Sequence, residues 1–231
     1  MSNNKHAVVT GASAGIGRAI AAHLLANGWR VSGLDIATPS VEHAGFTPVP
    51  VDLTERAAIE SVAATLMPVD ALVHAAGVLR VGRLGELDHT GAALMWRLHV
   101  DAAARLADIM VPAMAARGSG RVVFVGSRVA QGMPGRGQYA ATKAALIAMA
   151  RSWAGEVAAR GVTVNVVSPA ATATGMLQDP SRTASAPRLP PLGRLIEPAE
   201  IATLVAFLLS DAAAAITGQD IAICGGASLP S

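Results

Sequence analysis

The chain of 231 residues contains one cysteine and one tyrosine, and aromatic residues make up only 3% of it. A lone thiol, Cys224, excludes an internal disulfide framework and fits a reducing compartment. The scarcity of rings means that a core must be filled by Ala, Val, Leu and Ile. Charge is sparse as well: Asp, Glu, Lys and Arg total 15%, the formal net charge is +2, and no basic run occurs. The electrostatic footprint of a nucleic-acid-binding protein is therefore missing. No apolar stretch has the length of a membrane span or the layout of a signal peptide, and the opening MSNNKH is polar. A cytoplasmic protein with no membrane partner is expected. Hydrophobic residues, by contrast, reach 52%, which excludes disorder and leaves a compact globular chain. The length suits one large core. With no repeat and no composition break, residues 1–231 read as a single domain.

Short β-rich runs alternate with longer stretches of helical spacing. The runs are 6–10, 30–35, 46–51, 70–75, 120–126, 162–168 and 219–224, and the helical patterns cover 15–27, 54–66, 90–116, 138–160 and 198–210. Parallel neighbours need long crossovers, so the alternation predicts an α/β fold: one Rossmann-like, doubly wound parallel sheet of about seven strands with helices on both faces. Between Asp35 and Asp52 the segment is too short and too rich in proline for a crossover helix. Residues 175–193, GMLQDPSRTASAPRLPPLG, read as a flap beside a substrate site.

In VVTGASAGIGRAI, Gly11, Gly15 and Gly17 fall where a strand ends and a helix begins. Such glycines permit a tight turn and let a diphosphate approach the helix N-terminus, where free N–H groups and the dipole favour anions. The spacing differs from the common G-x-G-x-x-G fingerprint, but its strand-turn-helix context is the one the mechanism requires. Asp35 ends the next strand at about the 20-residue separation at which an acidic side chain meets the ribose 2′-hydroxyl of NAD. Ala14 precedes Gly15 and no basic residue follows Asp35, so nothing is placed to hold a 2′-phosphate.

Further on, Tyr139 and Lys143 are four apart on a helical pattern and share a face. A cation beside a phenol, together with an oxidised nicotinamide, lowers the phenol pKa from about 10 toward the working pH. That makes Tyr139 usable as a general acid or base. Ser127 ends the fifth strand run, at the carboxyl edge where ligands of such folds bind.

Over nearly its whole length the chain resembles the short-chain dehydrogenases/reductases. TGASAGIG matches that family's glycine motif, YAATK its Y-x-x-x-K, and Ser127 its catalytic serine. The resemblance implies an NAD cofactor contacted by Gly11, Ser13, Gly15, Ile16, Gly17, Asp35, Asp52, Leu53, Ala75, Ala76, Gly77, Tyr139, Lys143, Pro169, Thr172 and Thr174. It implies hydride transfer between NAD and an alcohol/carbonyl pair, with Ser127 positioning the oxygen, Tyr139 moving the proton and Lys143 binding the ribose. It implies a homotetramer acting on a small molecule, and no metal site is expected.

The departures from the family pattern carry information. Its N-N-A-G is HAAG here, which puts His74 in place of a backbone-facing Asn. Its relay Asn, in the helix before the serine, corresponds to His99. If His99 takes that part in the relay, an imidazole of ordinary pKa, about 6.5, would give kcat an acidic limb. Within the family the chain looks most similar to 2,3-dihydro-2,3-dihydroxybenzoate dehydrogenases. Arg80, Arg128 and Arg136 follow strand ends where a substrate carboxylate could meet a guanidinium. The alternatives are a 3-oxoacyl or other small-ketone reductase and, in another class, an NAD-binding regulator that has lost turnover.

Overall fold

The computed structural model describes residues 5–178 and 189–229. Residues 179–188, the centre of the expected flap, lie outside the described residues. Seven strands, β1 (His6–Thr10), β2 (Arg30–Asp35), β3 (Phe46–Pro50), β4 (Ala71–His74), β5 (Gly120–Val125), β6 (Val162–Pro169) and β7 (Asp220–Ile223), form one sheet. It is parallel throughout, in the order β3-β2-β1-β4-β5-β6-β7. The order reverses direction between β1 and β4, and in such sheets the crevice outside the carboxyl ends at that point receives ligands.

The five central strands, β2, β1, β4, β5 and β6, are buried on both faces, so their side chains alternate between two cores. Val8, Leu72, Val122 and Phe124 point into one, which is completed by helices α2 (Arg56–Leu66), α4 (Ala102–Ala116) and α5 (Gly137–Val157). Ala7, Val9, Val73 and Val123 point into the other, under α1 (Gly15–Ala26) and α6 (Pro198–Leu209). Phe124 is fully buried and meets Trp153 and the His74 ring edge-on at 5.9 and 6.4 Å. Truncating such a side chain to alanine costs about 3–5 kcal/mol.

Residues 36–45 join β2 to β3 without a helix, as the proline content predicts. Pro48 and Pro50 lie within β3, which is tolerated because β3 is an edge strand. The stretch 90–116 is not one regular helix. It divides into α3 (His89–Trp96), a wide π turn over Arg97–Asp101, and α4. Apolar residues at helical spacing flank the turn on both sides, so the sequence pattern does not reveal the extra residue it carries. α6 begins with Pro198, and the Glu200 carboxylate accepts the N–H of Glu197 at 2.8 Å.

Candidate active site

At the carboxyl edge, β1 runs into Gly11, whose φ of +68° lies in the left-handed region. A Cβ there would meet Ala76 Cα at 2.9 Å, and one on Gly17 would collide with the Gly11 carbonyl. Both positions therefore require glycine. α1 then starts with Ala14 at its cap position, no side-chain cap and no acidic residue in its first turn. Its leading N–H groups are left for an external anion. Thr174, from the segment after β6, closes on the same turn, with Cγ2 3.3 Å from where a Gly15 Cβ would lie.

Asp35 ends β2 with its carboxylate fixed by two backbone N–H groups, Ser13 at 2.8 Å and Ala37 at 3.0 Å. Asp52 follows β3 and accepts the Thr54 N–H and hydroxyl at 2.8 Å each, which holds its carboxyl below the usual range. Leu53 is buried beside it. Thr172 bridges to Ile196 just beyond Pro169. An uncapped helix start, a glycine-lined approach and a fixed carboxylate on the neighbouring strand fit a nicotinamide dinucleotide: an anion seat next to a ribose acceptor.

Ser127 is buried two residues beyond the end of β5, past Gly126. Its Oγ accepts the Val129 N–H at 3.2 Å, so its own proton remains available to donate. Lys143 is 4% exposed, and its ammonium donates to the Val125 carbonyl at 2.8 Å. It lies 5.8 Å from the centre of the Tyr139 ring. Burial pulls its pKa down from 10.5 to about 8.

His99 is fully buried in the wide turn. Its Nε2 accepts the Val78 N–H at 3.0 Å, and its Nδ1 is 2.9 Å from Thr142 Oγ1. Thr142 gives its own proton to the Tyr139 carbonyl at 2.8 Å, so Nδ1 must carry the hydrogen of the pair. The His99 ring meets the Tyr139 ring edge-on at 5.7 Å. A Gly77 Cβ would lie 3.1 Å from His99 Nε2 and 3.7 Å from Lys143 Nζ, so Gly77 stands at the junction of cofactor loop and catalytic side chains. Burial, helped by the Lys143 charge, pushes the His99 pKa well below 6.5. The acidic limb expected of an ordinary imidazole is thus displaced away from neutrality.

Arg80 and Arg136 come from loops that touch, through the Gly82 N–H and the Gly135 carbonyl at 3.0 Å. Arg136 holds the cap position of α5, and Arg128 opens the short turn after Ser127. Thr10, Val78 and Thr142 join the site without having been singled out from the sequence. Only the motif positions of Thr10, in TGASAGIG, and Thr142, in YAATK, hinted at them.

This site, at the switch point of a parallel sheet, defines a nicotinamide-dependent oxidoreductase. A family model described as enoyl-(acyl carrier protein) reductase matches residues 11–228. The chain is 38% identical to the 3-oxoacyl-(acyl-carrier-protein) reductase of Salmonella typhimurium and 39% to that of Escherichia coli, in each case over 96% of both chains. That of Thermotoga maritima is 33% identical over 96% of this chain and 97% of its own. A solved short-chain dehydrogenase/reductase family protein superposes with a TM-score of 0.91 at 33% identity, covering 98% of each chain. The chain belongs to the short-chain dehydrogenase/reductase family and is an oxidoreductase. None of these relatives bears the name of a dihydrodiol dehydrogenase, so that narrower likeness gains no support from them.

Proposed function

We propose that this enzyme reduces the ketone of a 3-oxoacyl-type substrate with NADH as the hydride donor. The observation that carries the reading is the placement of Tyr139 one helical turn from the buried Lys143 ammonium, with Ser127 at the end of β5. The bound nicotinamide supplies the hydride. Ser127 donates a hydrogen bond to the carbonyl oxygen, and the Tyr139 hydroxyl delivers the proton that completes the alcohol. Lys143 stabilises the phenolate left behind. His99 serves the relay as a fixed neutral hydrogen-bonding group.

The names of the relatives support a 3-oxoacyl substrate, and Asp35 supports NADH. A 2′-phosphate placed against that carboxylate would bring like charges together, which costs several kcal/mol at an interface. Assembly as a homotetramer belongs to the same proposal. Trp96 and Phe207 are 46% and 44% exposed, as apolar side chains awaiting a second subunit would be. Light scattering that returns a monomer mass at micromolar concentration would refute that part.

The test is a substrate panel read at the nicotinamide absorbance. Acetoacetyl thioesters should be reduced with NADH at least about tenfold more efficiently than with NADPH. Equal efficiency would remove the role of Asp35. Turnover of 2,3-dihydro-2,3-dihydroxybenzoate with NAD, and none of the thioester, would replace the substrate class. Tight NADH binding with no turnover across the panel would point to the regulator.

A further inference from the structure

His74 ends β4, is fully buried, and engages both ring nitrogens. Nδ1 lies 3.0 Å from Thr10 Oγ1 and Nε2 lies 3.1 Å from the Leu98 carbonyl. Thr10 Oγ1 already accepts the N–H groups of Ala75 and Ala76, each at 3.0 Å. Its proton therefore goes to Nδ1, and the ring must carry its hydrogen on Nε2 and give it to Leu98. Leu98 belongs to the wide turn, in which the Ala102 N–H reaches back to the Arg97 carbonyl instead of following the regular helical pattern. The next residue is His99, held in the opposite tautomer between Val78 and Thr142. One ladder thus runs from Thr10 through His74 to the wide turn, and from His99 through Thr142 to the Tyr139 carbonyl.

We propose that His74 is a positioning residue: by donating to the Leu98 carbonyl it holds the wide turn open and so couples the phosphate turn at Thr10 to the helix carrying Tyr139 and Lys143. This rests on Tyr139 as the proton donor. Bond lengths make the two contacts of His74 separable. Asparagine keeps an acceptor at the reach of Nδ1 but has no donor as far out as Nε2. Glutamine restores a donor at that longer reach and gives up the short contact to Thr10.

His74→Asn should therefore lower kcat about tenfold while the KM for NADH stays near parental, because a small displacement of a reacting group is costly. His74→Gln should keep kcat within about threefold and raise the KM for NADH. The loss in the double variant His74→Asn, His99→Asn should fall short of the product of the single losses, since both act through one turn. Tyr139 is the only tyrosine, so ultraviolet titration of the phenolate reads it alone. His74→Asn should move that titration upward as the ammonium shifts away.

Parental kcat and parental phenolate titration in His74→Asn, with only a lower melting temperature, would overturn the proposal. Should the Asn variant not fold, long-range ¹H–¹⁵N spectra of the parent enzyme decide: a His74 ring protonated on Nδ1, or cationic at neutral pH, would overturn it equally. An active Tyr139→Phe variant would refute the tyrosine reading alone, because the tautomer of His74 and the kcat of its variants are measured independently.

Discussion

At the glycine turn the chain leaves its polar groups open, whereas at the catalytic helix it closes them. Ala14 offers α1 no cap, and the approach to its N–H groups is lined by positions where a Cβ would not fit. A few ångströms along the same sheet edge, the ring nitrogens of His74 and His99, the Thr142 hydroxyl and the Lys143 ammonium each have a partner inside the protein. α3 and α6 are closed by the Asp88 and Glu200 carboxylates, whereas α2 and α5, like α1, carry no side-chain cap; what sets the start of α1 apart is the glycine-lined approach to it. One region is completed by its ligand and the other is finished beforehand. That division suits their tasks: a cofactor must enter and leave, whereas proton transfer needs groups fixed before the substrate arrives.

The largest effect is expected where the finished region meets the substrate. Tyr139→Phe should cost about 10³-fold in kcat, with NADH affinity by fluorescence titration nearly unchanged. A variant that keeps its rate would show that the interlocked region serves stability alone. Next comes Lys143, whose pKa drop from 10.5 to about 8 corresponds to about 3 kcal/mol set against folding. The folded state releases this proton first. The penalty is therefore full below pH 8 and is relieved as pH rises from 8 toward 10.5, while kcat falls with the lost ammonium. Lys143→Met should be inactive yet melt several degrees above the parent at pH 7, the gap narrowing above pH 8. A lower melting point would mean that the bond to Val125 outweighs the desolvation.

The open region should respond differently. Gly17→Ala pushes a methyl group against the Gly11 carbonyl. A cost of about 2 kcal/mol appearing as cofactor affinity would be about a 30-fold rise in Kd. The smallest change is the most direct test of the contrast. Ala14→Asp gives α1 the cap it lacks and should raise stability by about 1 kcal/mol in thermal melts of the apoenzyme, while weakening NADH binding. Tighter binding together with higher stability would abolish the distinction between the two regions.

The open region was legible in the sequence because its signal is local. Glycines at Gly11, Gly15 and Gly17 between a β-rich run and a helical pattern state their geometry directly, and the strand runs agree with the sheet to within a residue or two. Tyr139 and Lys143 were legible for the same reason, since i,i+4 spacing is a one-helix property. The finished region was not. His99 could be placed from the family pattern, but its partners Val78 and Thr142 come from other elements, and burial that lowers its pKa is a property of the assembled core. The wide turn at Arg97–Asp101 escaped because apolar residues at helical spacing flank it on both sides, and its one departure is a backbone hydrogen bond that side-chain patterning does not record. Residues 179–188, the centre of the flap expected over 175–193, lie outside the described residues.

The prolines of β3 reach beyond the sheet they end. Val51 N–H bonds to Asp35 across the β2 side, so by alternation Phe46, Pro48 and Pro50 turn their backbone nitrogens outward. Phe46 spends its N–H on His43, and the two prolines have none. A visiting strand would find carbonyls along this border and no amide to receive its own. Growth of a sheet from molecule to molecule requires two receptive borders, and among the described residues the β3 side is not one. Contact through the sheet can therefore join two copies about an axis and must then stop, which protects a chain so rich in valine and alanine from running on into a fibre.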